Sequence, residues 1–169
     1  MMQSKSCGQH SRRTPMSDWL RKFVVESNRI EGIEREPTHI EQDLHAMFLA
    51  LKNPMVGDME TFVSAVQSGA ELRDRCGMYV RVGEHRPPDG GPDIRRALDA
   101  ILTRAKSDES PYWVHQAYET LHPFTDGNGR SGRTLWLWQM IQRGGYYQRQ
   151  AQELGFLHTW YYQGLGEHR

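Results

Sequence analysis

The chain has 169 residues, a length that suits one domain with a full-sized hydrophobic core. Its 21 basic and 21 acidic side chains give a formal net charge of zero, which excludes the basic footprint of a nucleic-acid-binding or membrane-surface protein. No apolar run is long enough to span a membrane, and the two distant cysteines, Cys7 and Cys76, fit a reducing cytoplasm better than a disulfide framework. Residues 1–15 are polar and are expected to form a flexible tail, with 16–169 as a single domain.

The first predicted helix carries two polar residues on its apolar face. Apolar side chains recur at three- and four-residue steps through residues 16–32, and Gly32 is a natural stop for this helix. Ser27 and Glu31, four residues apart, continue the same face, so Glu31 would point inward and need a cationic partner. The simpler alternative is a solvated glutamate at a helix end.

Two further helices with ordinary core stripes are predicted next. Thr38 indicates the start of one, because Glu41 three residues later completes a capping box, and Asn53-Pro54 would end it. The other is predicted to begin at Asp58. We interpret the apolar residues of both helices as core packing.

Residues 77–90 change character from helical to strand-like. An alternating, β-rich run is followed by Gly83 and a stretch rich in proline and glycine, which together predict a short β-hairpin. The strand-like residues that would dock a partner are Tyr79, Val80, Arg81 and Val82. The unpaired edges of such a hairpin would allow a peptide to add as a further strand. The alternative is an ordinary loop with a strand-like patch.

The second half of the chain is again helical in pattern. One helix is predicted to begin after Ser110, with Pro111 at its first position. Trp136 and Trp138, in the helix after that, are interpreted as core residues. A last helix is predicted over residues 150–164, and its aromatic side chains could form a contact between copies in a homo-oligomer.

Residues 122–133, called here the signature segment, join two predicted helices and hold the chemically richest set of side chains. A glycine-bearing loop that opens a helix presents unpaired N–H groups to an anion, which the helix dipole also favours. Arg130 and Arg133, three residues apart, share a helix face and could reach one polyphosphate. Asp126 among such donors indicates Mg²⁺, and His122 at the loop entrance suits a general base. The alternative is a glycine-rich helix cap with two surface arginines.

Two other nucleotide-binding motifs are excluded. Gly127 to Gly132 spells G-x-G-x-x-G, but that fingerprint requires a preceding strand in a βαβ unit, and the segment before it is helical in pattern. The P-loop motif is absent. The sequence therefore predicts a phosphate site on a helical scaffold.

The signature segment resembles that of the Fic family, H-P-F-x-[DE]-G-N-G-R-x-x-R, at every fixed position, and most of residues 16–145 are similar in layout. The resemblance implies an all-α, Fic-like helical bundle with one short β-hairpin flap. It also implies a protein adenylyltransferase that moves AMP from Mg²⁺-bound ATP to a Ser, Thr or Tyr hydroxyl of a target protein. The Doc branch, which phosphorylates its target, departs from this motif in the glycine loop, so AMP transfer is favoured.

The same resemblance implies a role for each matching residue. His122 would be the catalytic base, Asp126 would hold Mg²⁺, and Phe124 would anchor the loop in the core. The hairpin would be the flap that holds the target segment. The residues that would bind the nucleotide phosphates are Gly127, Asn128, Gly129, Arg130 and Arg133, the last of them on the γ-phosphate.

Residues 27–32 resemble the inhibitory motif of the same family, [ST]-x-x-x-E-[GN], with Ser27, Glu31 and Gly32 at its fixed positions. The resemblance implies that Glu31 pairs with Arg133 and occupies the place of the γ-phosphate. Because this motif precedes the signature segment in one chain, the protein would inhibit itself.

Other functions remain open at this point. The same site could remove AMP, or transfer another nucleotide or a phosphoryl group. A catalytically silent nucleotide-binding regulator is a third possibility, although binding alone does not need the base His122. A peptide-capturing module is a fourth, although it would not need Asp126 and Arg133. The expected partners are ATP and a hydroxyl-bearing protein, with no nucleic acid and no membrane.

Overall fold

The computed structural model describes residues 18–152, and this part of the chain is built from helices. They are α1 (Asp18–Ile30), α2 (His39–Leu49), α3 (Val56–Val66), α4 (Pro92–Ala105), α5 (Pro111–Leu121), α6 (Asn128–Arg143) and α7 (Gly145–Gln152). Within the described range, β-structure is limited to two isolated bridges. The predicted all-α class is confirmed, and the predicted tail at residues 1–15 lies outside the described residues.

Helix α6 runs through the middle of the bundle and packs against α1, α2, α3, α5 and α7. It separates two hydrophobic cores, with Leu135 and Trp138 in one and Trp136, Leu137 and Met140 in the other. Its consecutive apolar residues Leu135 to Trp138 face opposite sides, so this half of the helix has to be enclosed, which explains the central position of α6. The prediction that both tryptophans belong to the core is confirmed.

Helices α5 and α6 approach closely at Gly132. A Cβ atom at this position would lie 2.5 Å from Glu119 Oε1 and 2.9 Å from Tyr118 Cδ1, both on α5. In the same interface the hydroxyl oxygens of Tyr118 and Ser131 are 2.7 Å apart and share a buried hydrogen bond. This packing fixes the two helices on either side of the signature segment.

At the starts of α2 and α3, the carboxylate of the third helical residue accepts a hydrogen bond from the N-cap amide. The Glu41 amide donates to Thr38 Oγ1 at 3.1 Å and the Thr38 amide donates to Glu41 Oε2 at 2.7 Å, which confirms the predicted capping box. The prediction that α3 begins at Asp58 is wrong by two residues, because α3 begins at Val56. Asp58 is instead the third residue of the helix, where its carboxylate accepts a hydrogen bond from the Met55 amide at 2.8 Å.

The predicted hairpin at residues 77–90, called here the flap segment, is reduced to one tight turn. The Val82 amide donates to the His85 carbonyl at 3.0 Å, and the His85 amide donates back at 2.9 Å. The rest of the alternating run forms no ladder, because the described part of the chain offers it no neighbouring strand and isolated hairpins are marginal in water. A second bridge joins Leu72, just before the flap segment, to Phe124 in the signature segment.

Helix α7 begins at Gly145, earlier than the last helix that the sequence predicts at residues 150–164. Positions after Gln152 lie outside the described residues, and with them the aromatic surface suggested for contact between copies. In the described part of the chain, no helix has both the length and the apolar character that crossing a membrane requires.

Candidate active site

The signature segment begins with a left-handed turn at His122. This residue has φ 48° and ψ 62°, and no other non-glycine residue in the described range has a positive φ. Pro123 disfavours helical geometry in the residue before it, but the chain does not become extended there: Leu121 stays helical and His122 is left-handed. The left-handed turn ends α5 within one residue and still lets the His122 amide donate to the Tyr118 carbonyl at 2.9 Å.

Phe124 and Asn128 hold the loop closed. The Phe124 amide donates to Asn128 Oδ1 at 2.8 Å, and Asn128 Nδ2 donates to the Phe124 carbonyl at 2.9 Å. Both side chains are buried, so the Asn128 amide group shapes the loop from inside. Gly127, the N-cap residue just before α6, lies in the left-handed region at φ 74°. Because a helix leaves its first N–H groups without intrahelical partners, the amides at the start of α6 suit an anion.

Arg133 is bound by the end of α1. Its Nε donates to Ser27 Oγ at 2.9 Å, and its Nη2 donates to the Ser27 carbonyl at 2.8 Å and to Glu31 Oε1 at 2.6 Å. The Arg133 side chain is only 1% exposed, whereas that of Glu31 is 38% exposed. The ion pair expected between Glu31 and Arg133 is therefore present.

The end of α1 directs Glu31 at the start of α6. The Ile33 amide donates to the Asn28 carbonyl at 3.0 Å, and Gly32 has φ 73°, as in a glycine-terminated helix cap. A Cβ atom added to Gly129 would overlap the Glu31 carboxylate. A carboxylate of the chain itself thus lies against the N terminus of α6, in the position expected for an anion.

A comparison with protein families gives a match over the same region. The model of the Fic/DOC family matches residues 37–140, which is more than half of the 169-residue chain. The chain belongs to the Fic/DOC family. Comparisons with curated proteins and with solved structures gave no match. Fic proteins are generally transferases that act on protein targets with ATP and Mg²⁺, and membership supports a Fic-type function in general.

Arg130, the other arginine of the Fic signature, contacts a different helix. Its Nη1 donates to the Val66 carbonyl at 2.8 Å and its Nη2 donates to Gln67 Oε1. The side chain is buried, and this burial lowers the pKa of its guanidinium. The predicted shared face does not bring the two guanidinium groups to common partners, because Arg130 joins α6 to the end of α3 and Arg133 joins it to α1.

Asp126 is the carboxylate of the Fic signature. Its side chain is exposed, and its Oδ1 accepts a hydrogen bond from the Gly127 amide at 2.6 Å. Among the described residues there is no cluster of three or more His, Cys, Asp or Glu side chains that could hold a metal ion. A single carboxylate nevertheless fits Mg²⁺ that arrives with ATP, because this ion takes one or two carboxylates and completes its shell with phosphate oxygens and water.

The surroundings of His122 favour the neutral imidazole. Burial lowers the pKa of His122 from its usual 6.5, the nearby Glu119 carbonyl opposes this effect, and the charges of Arg73 and His85 lower the pKa further. A neutral imidazole at pH 7 can accept a proton. The signature segment therefore has an imidazole with a lowered pKa at one end and the first amides of a helix at the other.

Sequence reasoning did not find two residues beside this site. Glu119 Oε1 is enclosed without a hydrogen-bond partner in the described range, and burial raises the pKa of this carboxyl to about 7 while the Arg133 charge opposes the rise. Arg73 is fully buried and donates from Nε to the His122 carbonyl at 2.8 Å, across 49 positions of sequence. Neither residue belongs to a motif or a periodic stripe, so no local signal identifies them.

Proposed function

We propose that this Fic protein is an adenylyltransferase that moves AMP from Mg²⁺-bound ATP to a Ser, Thr or Tyr hydroxyl of a target protein. The observation that carries the proposal is the Glu31 carboxylate, which lies against Gly129 and bonds to Arg133 at 2.6 Å. A negatively charged group is thus bound between a helix N terminus and a buried guanidinium, and phosphate suits such a site better than a carboxylate does. The cytoplasm, where the exposed thiol of Cys76 would stay reduced, fits this chemistry.

The proposed reaction uses the two ends of the signature segment. The target oxygen attacks the α-phosphorus of ATP, the bond from that phosphorus to the oxygen bridging to the β-phosphate breaks, and pyrophosphate leaves. His122 accepts the proton that the hydroxyl loses. The amides at Asn128 and Gly129 bind phosphate oxygens, joined by that of Gly127 once it leaves Asp126 Oδ1, and Arg133 binds the γ-phosphate. Asp126 would hold Mg²⁺, which when bound would offset the phosphate charge.

We further propose that Glu31 inhibits the enzyme in this resting state. Arg133 cannot bind the γ-phosphate while it bonds to Glu31 and Ser27, so ATP would enter in a non-productive pose. The Glu31 side chain is more than one-third exposed, so it can turn towards solvent when phosphate replaces it at Arg133. Arg130, bound to the end of α3, would contact phosphate only after exchanging partners.

The flap segment is the proposed docking site for the target. The side chains of Tyr79 and Val82 are 66% and 42% exposed, and Arg81 is exposed between them. The Val80 amide has no backbone partner among the described residues. Exposed apolar side chains beside an unused amide are what a peptide needs to add as an extended strand.

The deciding experiment compares ATP labelled on the α-phosphorus with ATP labelled on the γ-phosphorus. The Glu31→Gly protein, incubated with each nucleotide and Mg²⁺, is expected to retain the α-label and not the γ-label on its own chain. His122→Ala in the same background should retain neither, whereas His39→Ala, an exposed histidine on α2, should behave like the parent. Retention of the γ-label would indicate phosphoryl transfer. Binding of ATP without retention of either label would indicate a silent nucleotide-binding regulator and overturn the proposal.

A further inference from the structure

Arg73 is a buried cation that bonds to main-chain carbonyls. Its side chain is 0% exposed, and within the described part of the chain it forms no ion pair. Nε donates to the His122 carbonyl at 2.8 Å, and Nη2 donates to the Leu121 carbonyl at 2.9 Å. Nη1 donates to the Met78 carbonyl at 3.1 Å and to the Pro88 carbonyl at 2.8 Å. Burial lowers the pKa of this guanidinium, so its location costs free energy that the four bonds have to offset.

These bonds connect two parts of the proposed active site. Two acceptors lie at the turn where α5 ends and His122 begins the signature segment. The other two, Met78 and Pro88, are ten positions apart and form the base of the flap segment. The planar guanidinium directs donors along several fixed directions at once, which a lysine ammonium cannot reproduce over the same distances. The backbone of Arg73 adds to the connection, because its amide donates to the Pro123 carbonyl at 2.9 Å.

The backbone of Gly90 packs against the same base of the flap segment. A Cβ atom at Gly90 would lie 2.6 Å from the Met78 carbonyl oxygen and 2.8 Å from the Arg75 carbonyl oxygen, too close for either to remain in place. The Met78 carbonyl is therefore enclosed between the Arg73 guanidinium and the Gly90 backbone. A substitution at Gly90 would move this acceptor without altering Arg73 itself.

We propose that Arg73 is a positioning residue that fixes the target-docking flap relative to the catalytic base. It holds His122 in its left-handed turn and both ends of the flap segment with one rigid group, so that a hydroxyl presented by the flap meets the imidazole at a set distance. The inference rests on the proposed function, since it takes His122 as the base and the flap segment as the docking site. Arg73 itself contacts neither nucleotide nor target.

The test uses Arg73→Ala and Arg73→Lys in the Glu31→Gly protein, with Arg96→Ala as the control for loss of an exposed arginine. At saturating Mg·ATP, we expect Arg73→Ala to lower kcat for AMP transfer by about 10²-fold, the effect of a misplacement near 1 Å. The KM and Kd for ATP should change by less than about threefold, because α6 and Arg133 bind the phosphates. The kcat of Arg73→Lys should remain close to that of Arg73→Ala, because an ammonium group keeps the charge but cannot form all four hydrogen bonds of the guanidinium.

Two further measurements separate positioning from folding. Guanidinium ion, added below denaturing concentrations, should restore much of the kcat of Arg73→Ala by filling the vacated site, and should not restore His122→Ala. Gly90→Ala should also lower kcat while leaving ATP affinity unchanged. Gly57→Ala is its control, since a Cβ at Gly57 meets nothing within 4 Å. An Arg73→Ala protein that keeps the kcat of its parent would overturn the proposal. So would parallel losses of kcat, ATP affinity and melting temperature without recovery in guanidinium.

Hydrogen exchange tests, without measuring turnover, whether Arg73 fixes the flap segment and His122 in place. In Arg73→Ala, but not in Arg96→Ala, the amides of residues 78–88 and of His122 should exchange faster while those of α6 stay protected. If the Glu31→Gly parent transfers no AMP, the proposed function fails, and the exchange pattern still shows whether Arg73 fixes the flap. Unchanged exchange at both places would overturn the inference even where AMP transfer is found.

Discussion

The signature segment and the flap segment both contact Arg73, yet their backbones are held in different ways. The signature segment is closed by its own residues, through the clasp between Phe124 and Asn128 and through the Ser131 hydroxyl, which donates to the Gly127 carbonyl at 2.9 Å. The flap segment has, among its own backbone bonds, the Val82–His85 bridge and one turn bond from the Tyr79 amide to the Gly77 carbonyl, and its base is bonded to Arg73.

This difference separates two tasks within one site. A nucleotide site benefits from donors that are fixed before the charge arrives, because no reorganisation is then needed during the reaction. A docking edge needs backbone groups that are not already used, since a bound peptide must pair with them. Under the proposed function, the rigid signature segment would bind ATP and the open flap segment would bind the target.

The largest effect should come from the signature segment. His122→Ala is expected to lower AMP transfer by about 10²- to 10⁴-fold, the usual contribution of a general base, while ATP affinity is retained. Labelled transfer and calorimetric titration with Mg·ATP measure the two quantities. His39→Ala controls for loss of a histidine on the protein surface. Turnover equal to that of the parent would remove His122 from the reaction.

The next effect tests whether the anion site is blocked. Glu31→Gly should increase AMP transfer roughly 5- to 150-fold, which corresponds to a coupling of about 1–3 kcal/mol. The ATP-free protein should also melt at a lower temperature, because the buried Arg133 guanidinium loses its carboxylate partner. Glu34→Gly, an exposed position just after α1, is the matched control.

Combining Glu31→Gly with Arg133→Ala should abolish the gain, because the liberated guanidinium is what binds the γ-phosphate. Equal labelling by wild type and Glu31→Gly, both folded and both binding ATP, would exclude self-inhibition and leave the transferase proposal in place.

The flap segment should respond more weakly and in a way that depends on position. Val80→Pro removes an amide that the described chain does not use, so it should lower AMP transfer about fivefold, the value of one hydrogen bond near 1 kcal/mol, without changing the melting temperature. Val82→Pro removes one of the two donors of the bridge between Val82 and His85, so amides of the flap segment should also exchange faster. ATP affinity should stay unchanged in both. Wild-type transfer by Val80→Pro would contradict strand addition at this edge.

The smallest expected effect is the response to pH. Because burial lowers the pKa of His122 below 6.5, the base is already deprotonated at pH 7, and kcat should rise by less than about twofold between pH 7 and pH 8. It should fall only as pH drops through the lowered pKa and the imidazole gains a proton. The Glu119 carboxyl, with a pKa of about 7, titrates in the same range beside Arg133, so the profile should be repeated in Glu119→Gln. A rise of several-fold that persists in this variant would contradict a lowered pKa for His122.

The elements that the sequence predicted correctly depend on residues close to one another in the chain. Thr38 and Glu41 are three positions apart and form the capping box, and Gly32 ends α1 in a left-handed conformation. The partner of Glu31 could be named although it lies 102 positions away, because two motifs of one family fixed both ends of the pair. Local chemistry and family resemblance together were sufficient for these features.

The features that the sequence did not predict depend on packing between distant segments. The alternating run in the flap segment predicts a hairpin, but the strand it would need is absent from the described range, so only the bridge at Val82 forms. No local pattern around Arg73 indicates that it is buried, because its hydrogen-bond acceptors lie in segments that come together only in the folded chain. The sequence of α5 does not indicate that the Glu119 carboxyl is enclosed. It is enclosed because Gly132, which has no side chain, lets α6 pack against it.

The lack of a side chain at Gly132 determines how closely α5 and α6 approach each other beside the signature segment. His122 directly follows α5 and Arg133 lies on α6, so the distance between the proposed base and the proposed γ-phosphate ligand depends on the spacing of two helices whose closest atoms leave no room for a methyl group. A larger residue at Gly132 would widen that spacing without touching nucleotide, metal or target. Substitution of this one residue, which would contact no ligand, would therefore change the distance between His122 and Arg133. Gly132 is thus a position at which the geometry of the site could be engineered.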